Sequence, residues 1–210
     1  MFISFEGIDG AGKSTVFNRL REDLLKMGLG DRVIFTREPG STKISEAIRK
    51  ILISSKHGIM DPWTEALLYS AARRQNVVEN IEPALKDKKI VLSDRYVDSS
   101  IAYQGGGRSL GIKDIVKMNN YAIQKVIPDY IIYLKIDPEL SRKRINQRNQ
   151  NVDRLEKEQS DFFQRISDTY EKLISQNPTR YLIINAEQKP DEVYKDVKGI
   201  VIPLIKEAIK

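Results

Sequence analysis

Cysteine is absent from the chain and histidine occurs once, at His57. Without thiols there is no disulfide framework, no thiolate nucleophile and no Cys-ligated zinc, and one histidine cannot make a multi-histidine metal site. Long apolar runs are also missing. The longest obvious one, Ile131-Ile132-Tyr133-Leu134, falls far short of the ~18 to 20 residues that a membrane helix requires. Met1 leads within a few residues into a first strand, which leaves no space for a signal or transit peptide, so a cytosolic protein away from membranes is expected. Proline and glycine are few, at 8 and 12, beside 40% hydrophobic and 30% charged residues, which excludes disordered, fibrous and collagenous classes. No repeat or low-complexity tract interrupts the 210 residues, so a single domain spanning 1–210 is expected. The net charge of +6, from 35 Lys and Arg against 29 Asp and Glu, suits nucleic acid or an anionic small molecule without choosing between them.

Five short β-rich runs, at 2–5, 33–36, 89–93, 130–136 and 181–185, are several times apolar without alternation, as strands covered on both faces should be. Helical patterns separate them. Val16, Leu20, Leu24 and Met27 share one face, with Gly28 as a stop, and a longer pattern over 63–85 carries Leu67, Leu68, Ala71, Ala72, Val78 and Ile81. Asp61-Pro62 starts that second helix and Pro83 kinks or ends it. Strands joined by helices need crossover connections, which predicts an α/β fold, a three-layer α/β/α sandwich around a five-stranded parallel sheet. Its ligand should lie beyond the carboxyl ends of the strands.

Between the first strand and first helix stands Gly7-Ile8-Asp9-Gly10-Ala11-Gly12-Lys13-Ser14-Thr15, which satisfies the phosphate-loop pattern G-x-x-x-x-G-K-[ST]. Backbone N–H groups and the positive helix terminus converge on phosphate oxygens in such a loop. Lys13 should reach the β- and γ-phosphates, Ser14 should offer a hydroxyl to Mg²⁺, and Thr15 should add a phosphate contact. Phosphoryl transfer also needs a carboxylate near the metal, at the end of a neighbouring strand, and Asp94 after Ile90-Val91-Leu92-Ser93 supplies it. No Asn-Lys-x-Asp guanine-reading segment is present, which points to a kinase rather than a GTPase switch.

A kinase that phosphorylates a phosphate must hold two anions head to head and so needs arginines beyond the loop lysine. Arg37 follows the second strand and Arg95 follows Asp94, both at strand ends beside the loop. Tyr69 and Arg73 are four apart on one helix face, where a ring and a guanidinium could stack on and hydrogen-bond a base, or could equally be a core tyrosine and a surface arginine.

Gly7 to Thr15, Thr36-Arg37-Glu38-Pro39-Gly40, Leu67-Leu68-Tyr69-Ser70-Ala71-Ala72-Arg73 and the run from Asp94-Arg95-Tyr96 to Tyr103-Gln104-Gly105, taken in this order, resemble bacterial thymidylate kinases over nearly the whole chain. The resemblance implies ATP- and Mg²⁺-dependent phosphorylation of dTMP to dTDP by a homodimer, with Ser14 and Asp94 at the metal. It places ATP on Gly7, Ile8, Asp9, Gly10, Ala11, Gly12, Lys13, Ser14, Thr15 and Arg142, and Asn185-Ala186 near adenine. Arg37 and Arg95 would clamp the monophosphate, with Asp9 near the sugar hydroxyl and the metal region. Tyr69, where the family usually has Phe, would stack on thymine, and Arg73 would bond a thymine carbonyl. Ser99, Ser100 and Gln104 would complete the dTMP site near the base edge, and Tyr103 would crowd the sugar 2′ position.

Arg142, Lys143, Arg144, Arg148 and Arg154 face one acid, Asp153, in a segment that a solvated helix face would explain equally well on sequence alone. By resemblance it is a mobile lid around 142–156 that closes over ATP. Because Gly10 and Ala11 leave the phosphate loop uncharged, the lid should supply the catalytic cation, Arg148 first and Arg154 second, beside Lys13, Asp9 and Arg95. Other readings are a nucleotide kinase with a different acceptor and a phosphate-loop nucleic-acid-binding ATPase, the latter weakened by the absence of a basic tail or recognition motif.

Overall fold

The computed structural model describes residues 1–54, 56, 58–147, 154–156 and 158–209. Its five strands are β1 (Phe2–Glu6), β2 (Val33–Arg37), β3 (Ile90–Asp94), β4 (Tyr130–Lys135) and β5 (Tyr181–Asn185), paired in parallel in the order β2-β3-β1-β4-β5. β1 and the apolar positions of β3 and β4 are buried, in keeping with a sheet covered on both faces. The helices are α1 (Lys13–Lys26), α2 (Lys43–Ile53), α3 (Pro62–Asn76), α4 (Glu82–Lys86), α5 (Val97–Ser100), α6 (Ile112–Ile123), α7 (Pro138–Gln147), α8 (Ser160–Gln176) and α9 (Pro190–Ile209) among the described residues. β1 and β2 each run one residue beyond the predicted limit. In β2 the added residue is Arg37, which the register aligns with Asp94, itself opposite Phe5 of β1, so three site segments meet at the carboxyl end of the sheet.

The helix expected over 63–85 is three pieces. α3 begins as predicted, with Asp61 Oδ1 accepting the Thr64 N–H at 3.0 Å, but after Asn76 a π-helical turn (Val77–Ile81) leads into α4. Pro83 has no N–H for the carbonyl one turn back, and widening the preceding turn absorbs the missing bond; the Glu82 N–H instead reaches Val77 O. The buried stripe of α3 also differs from the apolar pattern. Leu67 and Ala71 face outward, whereas Glu65, Ala66, Ser70, Ala72, Arg73 and Asn76 are buried. Polar groups occupy that stripe because each of Glu65, Arg73 and Asn76 meets a polar partner from another segment, and Arg73 also reaches the cleft described below. Met27 lies just past α1 and is largely exposed, while Gly28, at φ 74°, turns the chain so that the Leu29 N–H returns to Leu24 O at 3.0 Å.

A second π-helical segment (Ile101–Gly107) continues α5 and packs on α8. Phe162, Phe163 and Tyr170 of α8 are core residues. Of the basic segment, α7 and residues 154–156 are described; Arg148 and Asp153 lie outside the described residues, as does His57.

Candidate active site

The phosphate loop turns away from β1 through glycines that no other residue could replace without displacing backbone. At Gly7, φ is 138° and a Cβ would stand 2.7 Å from Leu134 O; at Gly10, φ is 82° and a Cβ would stand 2.6 Å from Ser141 O. Ile8 and Ala11 are buried beneath the loop, so the ligand-facing surface is left to Asp9, Gly10, Gly12, Lys13, Ser14 and Thr15. The Lys13 ammonium donates to Gly7 O and Ile8 O, both at 2.8 Å. Its pKa is brought down to about 8, first by burial and then by the Arg95 charge, against the opposing pull of Asp9, Asp94 and Glu6. The Ser14 hydroxyl donates to Asp94 Oδ2 at 3.1 Å, so the two oxygen groups expected at a cation are together.

Arg95 adopts a left-handed backbone conformation, φ 71°, which is costly for a residue with a Cβ, immediately after β3. Its guanidinium donates to Gly7 O and Ser99 Oγ at 3.1 Å, pairs with Asp9 and reaches the Tyr103 hydroxyl at 3.3 Å. Tyr103 in turn donates to Asp9 Oδ2 at 2.8 Å and accepts from the Asp9 N–H at 3.0 Å. Burial works against the Arg95 charge, but Tyr103 and Asp9 hold its pKa well above the ordinary value. Behind them Glu6 accepts from the Tyr96 N–H at 2.8 Å, Ser99 Oγ at 2.6 Å and Tyr170 Oη at 2.9 Å. Burial, reinforced by Asp98, pushes its carboxyl up to about 7.

The opposite end is built on α3. Arg73 is 1% exposed and donates to Glu38 Oε2 at 2.7 Å, Ser100 Oγ at 3.0 Å, Tyr96 O at 3.0 Å and Asn119 Oδ1. Those bonds use four of its five N–H groups. Glu38 is itself held by Asn76 at 3.1 Å, and Asn76 accepts from Thr36 at 2.8 Å. Burial raises the Glu38 pKa while Arg73 opposes the shift. Arg37 NH2 grips both oxygens of Glu46 at 2.9 and 3.0 Å, which leaves its Nε and NH1 without partners among the described residues.

These groups line one cleft of about 800 Å³ that runs from the phosphate loop past Arg37 and Arg95 to Tyr69, Arg73, Ser99, Ser100, Tyr103 and Gln104. Among the described residues seven cationic side chains, against four acidic ones, lie along it, an excess of positive charge where anions could enter. Three residues of the basic segment are placed otherwise than expected. Arg142 bonds Ser160 and is not in the lining. Arg154 pairs with the buried Glu65 at 2.6 Å and donates to Leu52 O at 3.1 Å, while its neighbours Leu155 and Glu156 reach the cleft. Arg144 lines the cleft and donates to Ala186 O at 2.7 Å and Glu187 O at 3.1 Å, tying α7 to the loop after β5. Arg21 and Arg49, outside every sequence motif, also line it, as does Glu38, to which its motif gave no role. Arg49 had a signal, three residues beyond Glu46 on α2 and therefore on the same helix face; its NH1 donates to Pro39 O at 3.0 Å.

Among the described residues no helix is long and apolar enough to cross a membrane. The family model described as Thymidylate kinase matches residues 5–197. The chain is 49% identical to a thymidylate kinase of Leuconostoc mesenteroides, over 99% of this chain and 97% of the relative. It is 44% identical to that of Bacillus licheniformis with the same coverage. A crystal structure of thymidylate kinase from Ehrlichia chaffeensis superimposes with a TM-score of 0.78 at 33% identity, covering 96% of this chain and 97% of that one. With a phosphate loop, a cleft lined by further arginines and these relatives along nearly its full length, the chain belongs to the thymidylate kinase family.

Proposed function

We propose that the protein transfers the γ-phosphoryl group of ATP to dTMP, giving ADP and dTDP. The observation that carries this reading is the single cleft with the phosphate loop at one end and Tyr69, Arg73 and Gln104 at the other. An oxygen of the dTMP phosphate attacks the γ-phosphorus while the bond to the β,γ-bridging oxygen breaks. The attacking oxygen is already ionised, so no protein base is required, and the protein contributes positioning and fixed charge.

Lys13 and the loop N–H groups hold the ATP phosphates, with Thr15 beside them. Arg95 stays charged and fixed on Asp9 and Ser99, and together with the two unengaged nitrogens of Arg37 it receives the monophosphate. Tyr69 stacks on thymine and the remaining N–H of Arg73 meets a base carbonyl. Tyr103, locked on Asp9 through two hydrogen bonds, stands where a ribose 2′-hydroxyl would go. Ser14 and Asp94 offer the hard oxygen donors that suit Mg²⁺, which takes one or two protein ligands and completes its shell with water and phosphates. When bound, the ion neutralises charge on the β- and γ-phosphates.

Exposed Ile44 and Ile51 on α2 and Trp63 and Leu67 on the adjoining α3 support a homodimer through these helices. Sedimentation should give a dimer that the Trp63→Glu, Leu67→Glu double variant dissociates; a wild-type monomer at micromolar concentration would exclude it. The activity itself is tested by ADP release with ATP, Mg²⁺ and, in turn, dTMP, dUMP, dCMP and thymidine. Preferential turnover of dTMP is expected, and preference for another acceptor would replace this reading.

A further inference from the structure

Glu65 is a fully buried carboxylate with three hydrogen-bond donors on it and a second guanidinium paired beside it. Its Oε1 accepts from Gln104 Nε2 at 2.9 Å and Arg108 Nε at 3.3 Å, and its Oε2 meets Arg108 NH2 at 3.1 Å and Arg154 NH2 at 2.6 Å. A carboxylate between two guanidinium groups is an acceptor only. The Gln104 amide must therefore turn its NH2 towards Glu65, and flipping it would press a carbonyl oxygen against a buried carboxylate. Gln104 is 1% exposed yet lines the cleft with Tyr69, Arg73 and Ser100, and among the described residues its Oε1 has no hydrogen-bond partner.

We infer that Glu65 is a positioning residue for base selectivity, locking Gln104 so that Oε1 is a fixed acceptor for the ring N3–H of the acceptor nucleotide. Thymine and uracil carry that N–H. Cytosine presents a bare N3 lone pair there, and beside it an amine where thymine has a carbonyl. The remaining N–H of Arg73 adds the opposite polarity, a donor suited to the carbonyl and not to the amine. An amide free to rotate would serve either base. One held by Glu65 meets cytosine with acceptor against acceptor, the arrangement by which polar sites reject a near-isostere most strongly.

The inference rests on the dTMP reading, and the experiment separates the two. Glu65→Gln lets the amide flip. Glu65→Asp keeps an anion for Arg108 and Arg154 but withdraws it from Gln104 by one methylene. In both, the ratio of kcat/KM for dTMP to that for dCMP should fall about tenfold, the discrimination of about one hydrogen bond, with the KM for ATP unchanged. A role in folding alone would lower both substrates alike, and an unchanged ratio in a folded variant overturns the inference. The wild-type protein supplies an arm that needs no variant: N3-methyl-dTMP should lose about 100-fold or more in kcat/KM, and turnover equal to that of dTMP overturns the inference too. Failure of the wild type to phosphorylate any pyrimidine monophosphate would instead strike the dTMP reading itself.

Discussion

Lys13 should take up a proton when ATP binds. In the free protein its pKa is about 8, chiefly through burial, so about one molecule in ten lacks the proton at pH 7, about half at pH 8 and about nine in ten at pH 9. A triphosphate against the ammonium returns the pKa towards or above its ordinary value. Binding at pH 8 should then absorb about half a proton, rising to about 0.9 at pH 9 and falling to about 0.1 at pH 7. The sign follows from linkage: the complex holds the proton more tightly than the free protein. ATP affinity is therefore full below pH 8 and weakens by about tenfold, or about 1.4 kcal/mol, for each pH unit above it. Calorimetric titration with ATP in two buffers of different ionisation enthalpy gives the uptake directly. The terminal phosphate of ATP is already fully ionised at pH 8 and does not confuse the count. Lys13→Arg keeps its proton throughout, so its uptake should drop to near zero even if binding weakens. No uptake by the wild type between pH 8 and 9, or the same uptake in Lys13→Arg, would refute the reasoning.

Glu38→Gln leaves the Arg73 guanidinium buried without its anion, in a pair whose side chains are each 2% exposed. A loss of about 3–5 kcal/mol and about 6–20 °C in Tm is expected by thermal and chemical denaturation, with a raised KM for dTMP. Glu6, with its folded pKa near 7 above an unfolded value near 4.5, binds more protons folded than unfolded in that window. Its contribution is present below pH 4.5 and is lost as pH rises to 7, about 3 kcal/mol in all, and the stability difference between wild type and Glu6→Gln measured across pH should carry that slope. Tyr103→Ala should improve use of a ribose-containing monophosphate relative to dTMP; an unchanged ratio in competition assays removes the steric gate.

The sheet and the phosphate loop were legible because each is written locally. Apolar runs bounded by turns, and a glycine pattern between a strand and a helix, can be recognised without any distant residue. The α3 stripe was misread for the opposite reason. Its inward Glu65 makes sense only against Gln104 and Arg108, 39 and 43 positions away, and against Arg154, farther still along the chain, partnerships no periodicity encodes. Arg154 shows the same limit. A basic run suggests an arginine awaiting phosphate, yet a buried carboxylate on another helix claims its charge first. The division of labour between Arg142 and Arg144 depends on which face of α7 meets the loop after β5, a packing fact absent from composition.

The left-handed turn at Arg95 makes the protein its own ruler. In the proposed reading Asp94 serves the donor half of the cleft through Ser14, and the very next residue serves the acceptor half through Asp9 and Tyr103. Consecutive Cα atoms are separated by about 3.8 Å whatever the surrounding domain does. On that reading a covalent step ties the group beside the donor phosphates to the group that receives the acceptor. Insertions that ordinary surface loops tolerate would, at this joint, move one nucleotide out of reach of the other.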